Sequence, residues 1–263
     1  MTKPNPITQA AMESGEPVFR QVGVGPWAQE HPGESRPDDA DSPNYDPRLD
    51  PQLLDEGDRR NVLDRYRYWR VEAIRIDLDI RGRHGFEVAV ENWTHDFNIG
   101  SMVRSANAFG AGHVYIVGPH KWNRKGSLMT ELYQHVDHYP SIESLVTAWK
   151  QERIHEAHSF ALQAQDASDP LQRDYLLSMN QVAAQAKVIA LDIIPGAVPI
   201  ETYTFPDRCL LLFGAEGPGL SEKALDLADE VVYISQFGSV RSINAGAAAA
   251  VAMHSWVAQH LRG

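Results

Sequence analysis

Three short stretches of this 263-residue chain gather residue types that chemistry uses. "NIGSMVRSANAFG" (98–110) carries Asn98 and Arg104 in a helical pattern. "LLLFGAEGPGLSEKAL" (210–225) carries Gly214, Glu216, Gly217 and Gly219. "YISQFGSVRSINAGAAAAVA" (233–252) carries Ile234, Gln236, Gly238, Ser242, Ile243 and Asn244. Glycines directly after an apolar strand let the main chain approach a ligand closely. In a parallel sheet, ligands sit beyond the carboxyl ends of strands. The spacing here is G-x-x-G-x-G, not the G-x-G-x-x-G of a dinucleotide site, and no G-x-x-x-x-G-K-[ST] occurs for phosphates. Taken singly, each stretch also has a plain structural account. The glycines can make a turn. Asn98, Ser242 and Asn244 can cap helices. Arg104 can reach solvent from an otherwise apolar helix.

The elements that must position these residues are legible as an alternation. Residues 86–92, 113–118, 187–193, 208–214 and 230–235 read as strands; 99–110, 141–153 and 242–261 read as helices. Continuous apolar strands between helices predict a parallel sheet covered on both faces. Residues 158–186 contain a loop, "ASDPLQRDY", and a helical pattern, "LLSMNQVAAQA". The run from Ala245 to Ala250 predicts close packing of the last helix against other backbone. Before the sheet, Val62, Tyr66, Trp69, Ala73, Ile76 and Ile80 follow steps of three and four, which predicts a helix over 56–80. Arg60, Arg67 and Arg70 lie off that stripe. The first 50 residues hold 8 of the 16 prolines and read as an extended or disordered acidic arm. The expected domains are therefore an arm at 1–55, a helical extension at 56–84 and an α/β domain at 85–263.

The net charge of -11 argues against broad electrostatic capture of nucleic acid. Residues 1–60 carry 12 acidic and 6 basic residues, so the excess is concentrated there. A local basic patch remains open in "GPHKWNRKGSLMTELYQHVDHY" (118–139). Lys121, Arg124 and Lys125 beside Trp122 suit RNA phosphates and an unstacked base; a solvated loop is the alternative. His120, His135 and His138 make no metal pattern, so no metal is expected. One cysteine, Cys209, excludes an intrachain disulfide and an all-cysteine metal site. With no apolar span and no apolar leader, the expected location is the cytoplasm.

In this order the three stretches resemble the SPOUT superfamily of RNA methyltransferases, specifically the TrmH-like tRNA and rRNA ribose 2′-O-methyltransferases. The first family motif, N-x-x-x-x-x-R, is matched by Asn98 and Arg104. The second, (F)G-x-E-x-x-G, is matched by Phe213, Gly214, Glu216 and Gly219. The third, like I-P-M-x-G-x-x-x-S-L-N, is matched by Ile234, Gly238, Ser242 and Asn244. The resemblance covers roughly 86–262. It implies an α/β fold with a C-terminal trefoil knot, and S-adenosylmethionine held by Gly214, Glu216, Gly219, Ile234, Gln236, Gly238, Ser242 and Ile243. It implies a homodimer, and catalysis by Arg104 with Asn98, Glu216, Ser242 and Asn244 orienting it, the ribose and the donor. The implied partner is tRNA or rRNA, with the 2′-OH as acceptor. Ser235 and Gln236 stand where the family often has Pro and Met, and Ile243 where it has Leu. The N-terminal part does not resemble the small RNA-binding domain many relatives carry. A catalytically silent RNA-binding protein and an RNA base methyltransferase are the alternatives. A nicotinamide-dependent dehydrogenase lacks its early glycine fingerprint here.

Overall fold

A computed structural model of the chain describes residues 5–16, 22–93 and 98–261. It divides into two compact units, Met1–Arg70 and Val71–Gly263.

In the first unit the chain folds back on itself rather than extending as an arm. It contains α1 (Pro6–Glu13), α2 (Trp27–Glu30) and α3 (Pro51–Glu56). Asn5 and Asp50 cap the first and third, each followed by a proline that starts the helix. Leu49, Leu54 and Tyr68 form a small core with Trp27 and Val24 against it. Asp58 organises this core from a position with no exposure. Its carboxylate accepts from Arg60 Nε (2.9 Å) and Nη2 (2.7 Å) and from the Tyr68 N–H (3.0 Å). Burial pushes the Asp58 carboxyl up, but these hydrogen bonds outweigh it and hold the group below the usual carboxylate range. The helix expected over 56–80 does not form in one piece. Tyr68 has φ +63°, which an α-helix cannot accommodate, Val62 lies in irregular chain, and Trp69 forms an isolated antiparallel bridge with Leu49.

The second unit opens with α4 (Val71–Arg81), where Ile74 is buried but Ile76 and Ile80 are exposed, against the expected stripe. Then follow β1 (Phe86–Glu91), α5 (Ile99–Ala108), β2 (Val114–Val117), β3 (Val136–Tyr139), α6 (Ile142–Asp166), α7 (Pro170–Ala184), β4 (Lys187–Leu191), β5 (Val198–Pro199), β6 (Cys209–Phe213), α8 (Glu222–Leu227), β7 (Glu230–Tyr233) and α9 (Ala245–His260). The sheet order is β3-β2-β1-β6-β4-β7-β5, and every pairing is parallel. Central β6 is buried throughout and shows the strand period of two. Cys209, Leu211 and Phe213 face α5 and α9, packing with Met102, Val103, Met253 and Trp256. Leu210 and Leu212 face α6 and α8, packing with Leu145, Trp149 and Ala224. Burial raises the Cys209 thiol well above its ordinary value, so it is an apolar core residue and not a nucleophile.

Residues 158–186 are mostly helical. Helix α6 continues to Asp166, and α7 packs back on it after Asp169 caps its start. Among the described residues no helix is long and apolar enough to cross a membrane.

Candidate functional site

The carboxyl ends of β6, β4 and β7 surround a cavity of about 610 Å³. That size suits a small-molecule ligand, for which about 300–1,000 Å³ is usual. One wall is the loop 214–219 after β6. A Cβ on Gly214 would lie 2.0 Å from the carbonyl carbon of Gly219, so only glycine lets this loop close. Gly217 and Gly219 hold φ at +96° and +77°, where glycine carries no penalty. The far end of the loop is anchored by Glu91, 1% exposed at the end of β1. Its carboxylate accepts from the Ser221 N–H (2.7 Å) and hydroxyl (2.8 Å), while the same Ser221 caps α8 through the Ala224 N–H.

At the cavity mouth one residue from each sequence stretch meets the others. Asn98 Nδ2 donates to the Glu216 carboxylate. Asn98 Oδ1 accepts from Asn244 Nδ2 at 2.8 Å. Asn244 Oδ1 in turn caps α9 through the Ala247 N–H at 3.1 Å. The capping account therefore holds for Asn244 and fails for Asn98, whose side chain makes no cap bond to α5. Gly246 permits the meeting. A Cβ there would stand 2.5 Å from Ser101 Oγ and 3.2 Å from Asn244 Oδ1, so a side chain would displace the Ser101 hydroxyl and crowd Asn244.

Gly214, Glu216, Gly219, Ile234, Gln236, Ser242, Ile243 and Asn244 all line the cavity. Gln236 Oε1 is buried there with no hydrogen-bond partner among the described residues, an acceptor awaiting a donor. Gly238 does not line it: the residue is exposed, has open space where a Cβ would go, and its φ is not left-handed. Arg104 sits on the exposed side of α5 with no ion pair or hydrogen bond to another described residue. Asp192, which the sequence reading passed over, lines the cavity between the two loops. Its carboxylate accepts from the Ile193 N–H (2.7 Å) and lies 3.4 Å from the Leu220 nitrogen. Its position as the first residue beyond β4 was the available signal.

In the basic segment Lys121, Arg124 and Lys125 are exposed, but Trp122 is not. Its indole is 9% exposed and packs in the core formed with α5. Trp122 is therefore a core residue, not the stacking surface expected of it. Among the described residues no group of three His, Cys, Asp or Glu is placed to hold a metal ion.

Comparison with known proteins points one way. Residues 154–254 match the SpoU rRNA methylase family, a range that contains Glu216, Ser242 and Asn244 but not Asn98 or Arg104. Over 75 residues, 28% of this chain and 5% of the relative, the chain is 39% identical to a tRNA (guanosine(18)-2′-O)-methyltransferase of Saccharomyces cerevisiae. Over 75 residues it is 32% identical to the 23S rRNA (guanosine-2′-O-)-methyltransferase RlmB of Acinetobacter baylyi, covering 28% of this chain and 30% of that one. The chain thus spans less than a third of the length of either relative. Among solved structures, the SpoU methyltransferase AviRb of Streptomyces viridochromogenes, in complex with AdoMet, superposes with TM-score 0.51 and 26% identity, over 69% of this chain and 60% of that one. The A. aeolicus TrmH/SpoU tRNA modifying enzyme shares the fold at TM-score 0.53 and 14% identity, over 72% and 81% of the two chains. The parallel sheet, the matched segment and these likenesses make the chain similar to the SpoU, or TrmH-like, methyltransferases, with the family match itself confined to residues 154–254.

Proposed function

We propose that the chain is an S-adenosylmethionine-dependent RNA methyltransferase that transfers to a ribose 2′-OH of tRNA or rRNA. The observation that carries this reading is the Asn98–Glu216–Asn244 network at the mouth of the 610 Å³ cavity. A silent binding protein has no need to bring three polar side chains from three separate segments to one point. The names of the relatives support the ribose and the RNA class, and the AdoMet complex of AviRb supports the donor.

The cavity residues fit that donor. Ile234, Ile243 and Ala248 offer apolar surface for an adenine, and Gln236 Oε1 and the Asp192 carboxylate offer acceptors for amino and hydroxyl groups. When bound, S-adenosylmethionine supplies a methyl group already activated on a sulfonium. The protein then has to align a weak nucleophile, and its proton has to be received. Alignment alone can supply much of the acceleration. Asn98 and Asn244 hold Glu216 at the mouth, where the acceptor ribose enters. Arg104, exposed on the same helix that Asn98 begins, is the residue assigned to the hydroxyl; a guanidinium is ordinarily protonated, so it positions the oxygen while an RNA phosphate beside it takes up the proton. The 2′-OH makes the acceptor RNA and not DNA. A trefoil knot formed by the segment running into α9, a homodimer that places Arg104 near its interface, and a cytoplasmic location complete the reading.

The test is methyl transfer from labelled S-adenosylmethionine to RNA from cells lacking this protein, with the product digested to nucleosides. Label in a 2′-O-methylnucleoside is expected. Label on a base would overturn the ribose assignment. Donor binding without any transfer would favour the silent-binder alternative.

A further inference from the structure

We propose that Trp93 is the stacking platform for an unpaired base of the bound RNA. The inference rests on the RNA reading above. The other five tryptophans are buried or half-buried, whereas Trp93 is 43% exposed. Scattered exposed apolar residues need no explanation by themselves. Trp93 differs because it is held in place. Its indole N–H donates to Glu91 Oε1 at 2.9 Å, and Glu91 is itself 1% exposed and fixed by Ser221. Its ring also lies beside Gly118, where a Cβ would come within 3.4 Å of Trp93 Cε3. A buried carboxylate thus orients an aromatic ring that remains open to solvent.

The surroundings match RNA. Trp93 follows β1, at the same sheet edge as the glycine loop. Asn92 Nδ2 donates to the His120 carbonyl at 2.8 Å and so ties the basic segment to the end of β1. Lys121, Arg124 and Lys125 are all exposed on that segment. Cations that follow a phosphate backbone, next to a rigid aromatic on which a base can stack, are the two parts of a single-strand site. An RNA whose ribose is turned into an active site leaves a neighbouring base without its stacking partner. Glu91 joins the two tasks: one oxygen holds the ring, and both hold Ser221 at the end of the donor loop. The spacing from stacked base to donor is thereby fixed by one side chain.

The experiment compares Trp93→Leu and Trp93→Phe with the parent for a short oligouridine, an RNA duplex of equal length and S-adenosylmethionine, by equilibrium binding. Trp93→Leu is expected to weaken oligouridine binding by about 5- to 150-fold, the effect of losing one stacked base. Trp93→Phe keeps a ring and is expected to restore most of it. Duplex and donor affinities should stay unchanged. Oligouridine binding equal to the parent in Trp93→Leu would overturn the platform. Parallel loss of donor affinity would overturn it too, by making Trp93 a prop of the donor loop. Trp93-dependent binding without any methyl transfer would remove the enzymatic reading and leave the platform standing.

Discussion

The cavity at the amino edge of the sheet, about 1030 Å³, is larger than the 610 Å³ cavity at the carboxyl edge, and the two are built differently. The amino-edge cavity is lined by ions that answer one another. Arg153 lies 2.9 Å from Glu152, 3.1 Å from Glu156 and 3.8 Å from Glu87. Arg208 pairs with Glu156 at 2.7 Å. Tyr115 and Trp149 donate to Glu87. The carboxyl-edge cavity is lined by glycine backbone, small apolar side chains and polar groups such as Gln236 with bonding capacity to spare. Charges that satisfy each other hold a fold together. Arg153 Nε and Nη1, Glu156 Oε2 and His113 Nε2 at the amino edge also lack hydrogen-bond partners among the described residues, so what sets the carboxyl edge apart is its glycine backbone and small apolar lining, which leave a small molecule room to enter.

Substitutions at the two edges should therefore separate chemistry from stability. Arg104→Ala is expected to slow transfer by about 10²–10⁴-fold, the usual worth of a side chain positioned at the hydroxyl where a proton is transferred, with the melting temperature and donor affinity unchanged; equal turnover in the variant would take Arg104 out of the mechanism. Arg153→Met should do the reverse. It removes a buried guanidinium from the half-buried Glu87 and Glu156, which keep Tyr115, Trp149 and Arg208 as partners, at a cost of about 1–3 kcal/mol in denaturant unfolding, yet donor affinity of the folded protein should hold. A donor affinity that drops with Arg153→Met would break the division between the edges.

Gly214→Val comes next. Its Cβ would strike main chain, which no rotamer change relieves. Overpacking typically costs about 1–3 kcal/mol, and here the loss should appear mainly as donor affinity in calorimetry. Unchanged affinity would move the donor elsewhere. Asn244→Asp keeps an acceptor for the Ala247 N–H but loses the donor to Asn98, so transfer should fall with little change in melting. Asn244→Ala should lose the cap as well, about 1 kcal/mol. Equal melting of the two variants would deny the cap.

The smallest effect is a pH dependence at the amino edge. Burial pushes the His113 imidazole below its ordinary value of 6.5, against the nearby Asp137 and Glu87 that raise it. The folded protein then binds this proton less readily than the unfolded chain. The His113 contribution is complete above about 6.5 and is lost as pH falls through the lowered folded value. His113→Gln should flatten that part of the stability curve and leave donor binding alone; an unchanged curve would discard the assignment.

How far the sequence disclosed this molecule depended on which force fixed each element. Strands β1, β2, β4 and β6 are buried on both faces and announce themselves as apolar runs, and β7, half-buried but for Val232, still shows its apolar pair Val231 and Val232. β3 lies at the sheet edge with two exposed residues, and β5 is two residues long, so neither carries a pattern. The helix expected over 56–80 failed because Asp58 captures the Tyr68 N–H, a tertiary demand that periodicity does not register. At the site, residues whose types were distinctive were found. Asp192 was missed because an aspartate after a strand looks like any turn residue. Trp122 and Trp93 look alike in sequence as aromatics near strand ends, and only packing shows which one faces water.

Asn244 has an implication for descent. Its amide serves a helix and a reaction centre at once. A descendant that gave up catalysis would still be under pressure to keep it, because the last helix starts there. Glu216 is the N-cap of none of the described helices and stands exposed on a loop. Among relatives of this chain, drift at Glu216 is therefore the earlier mark of a lost activity, and survival of Asn244 is no proof that the activity survives.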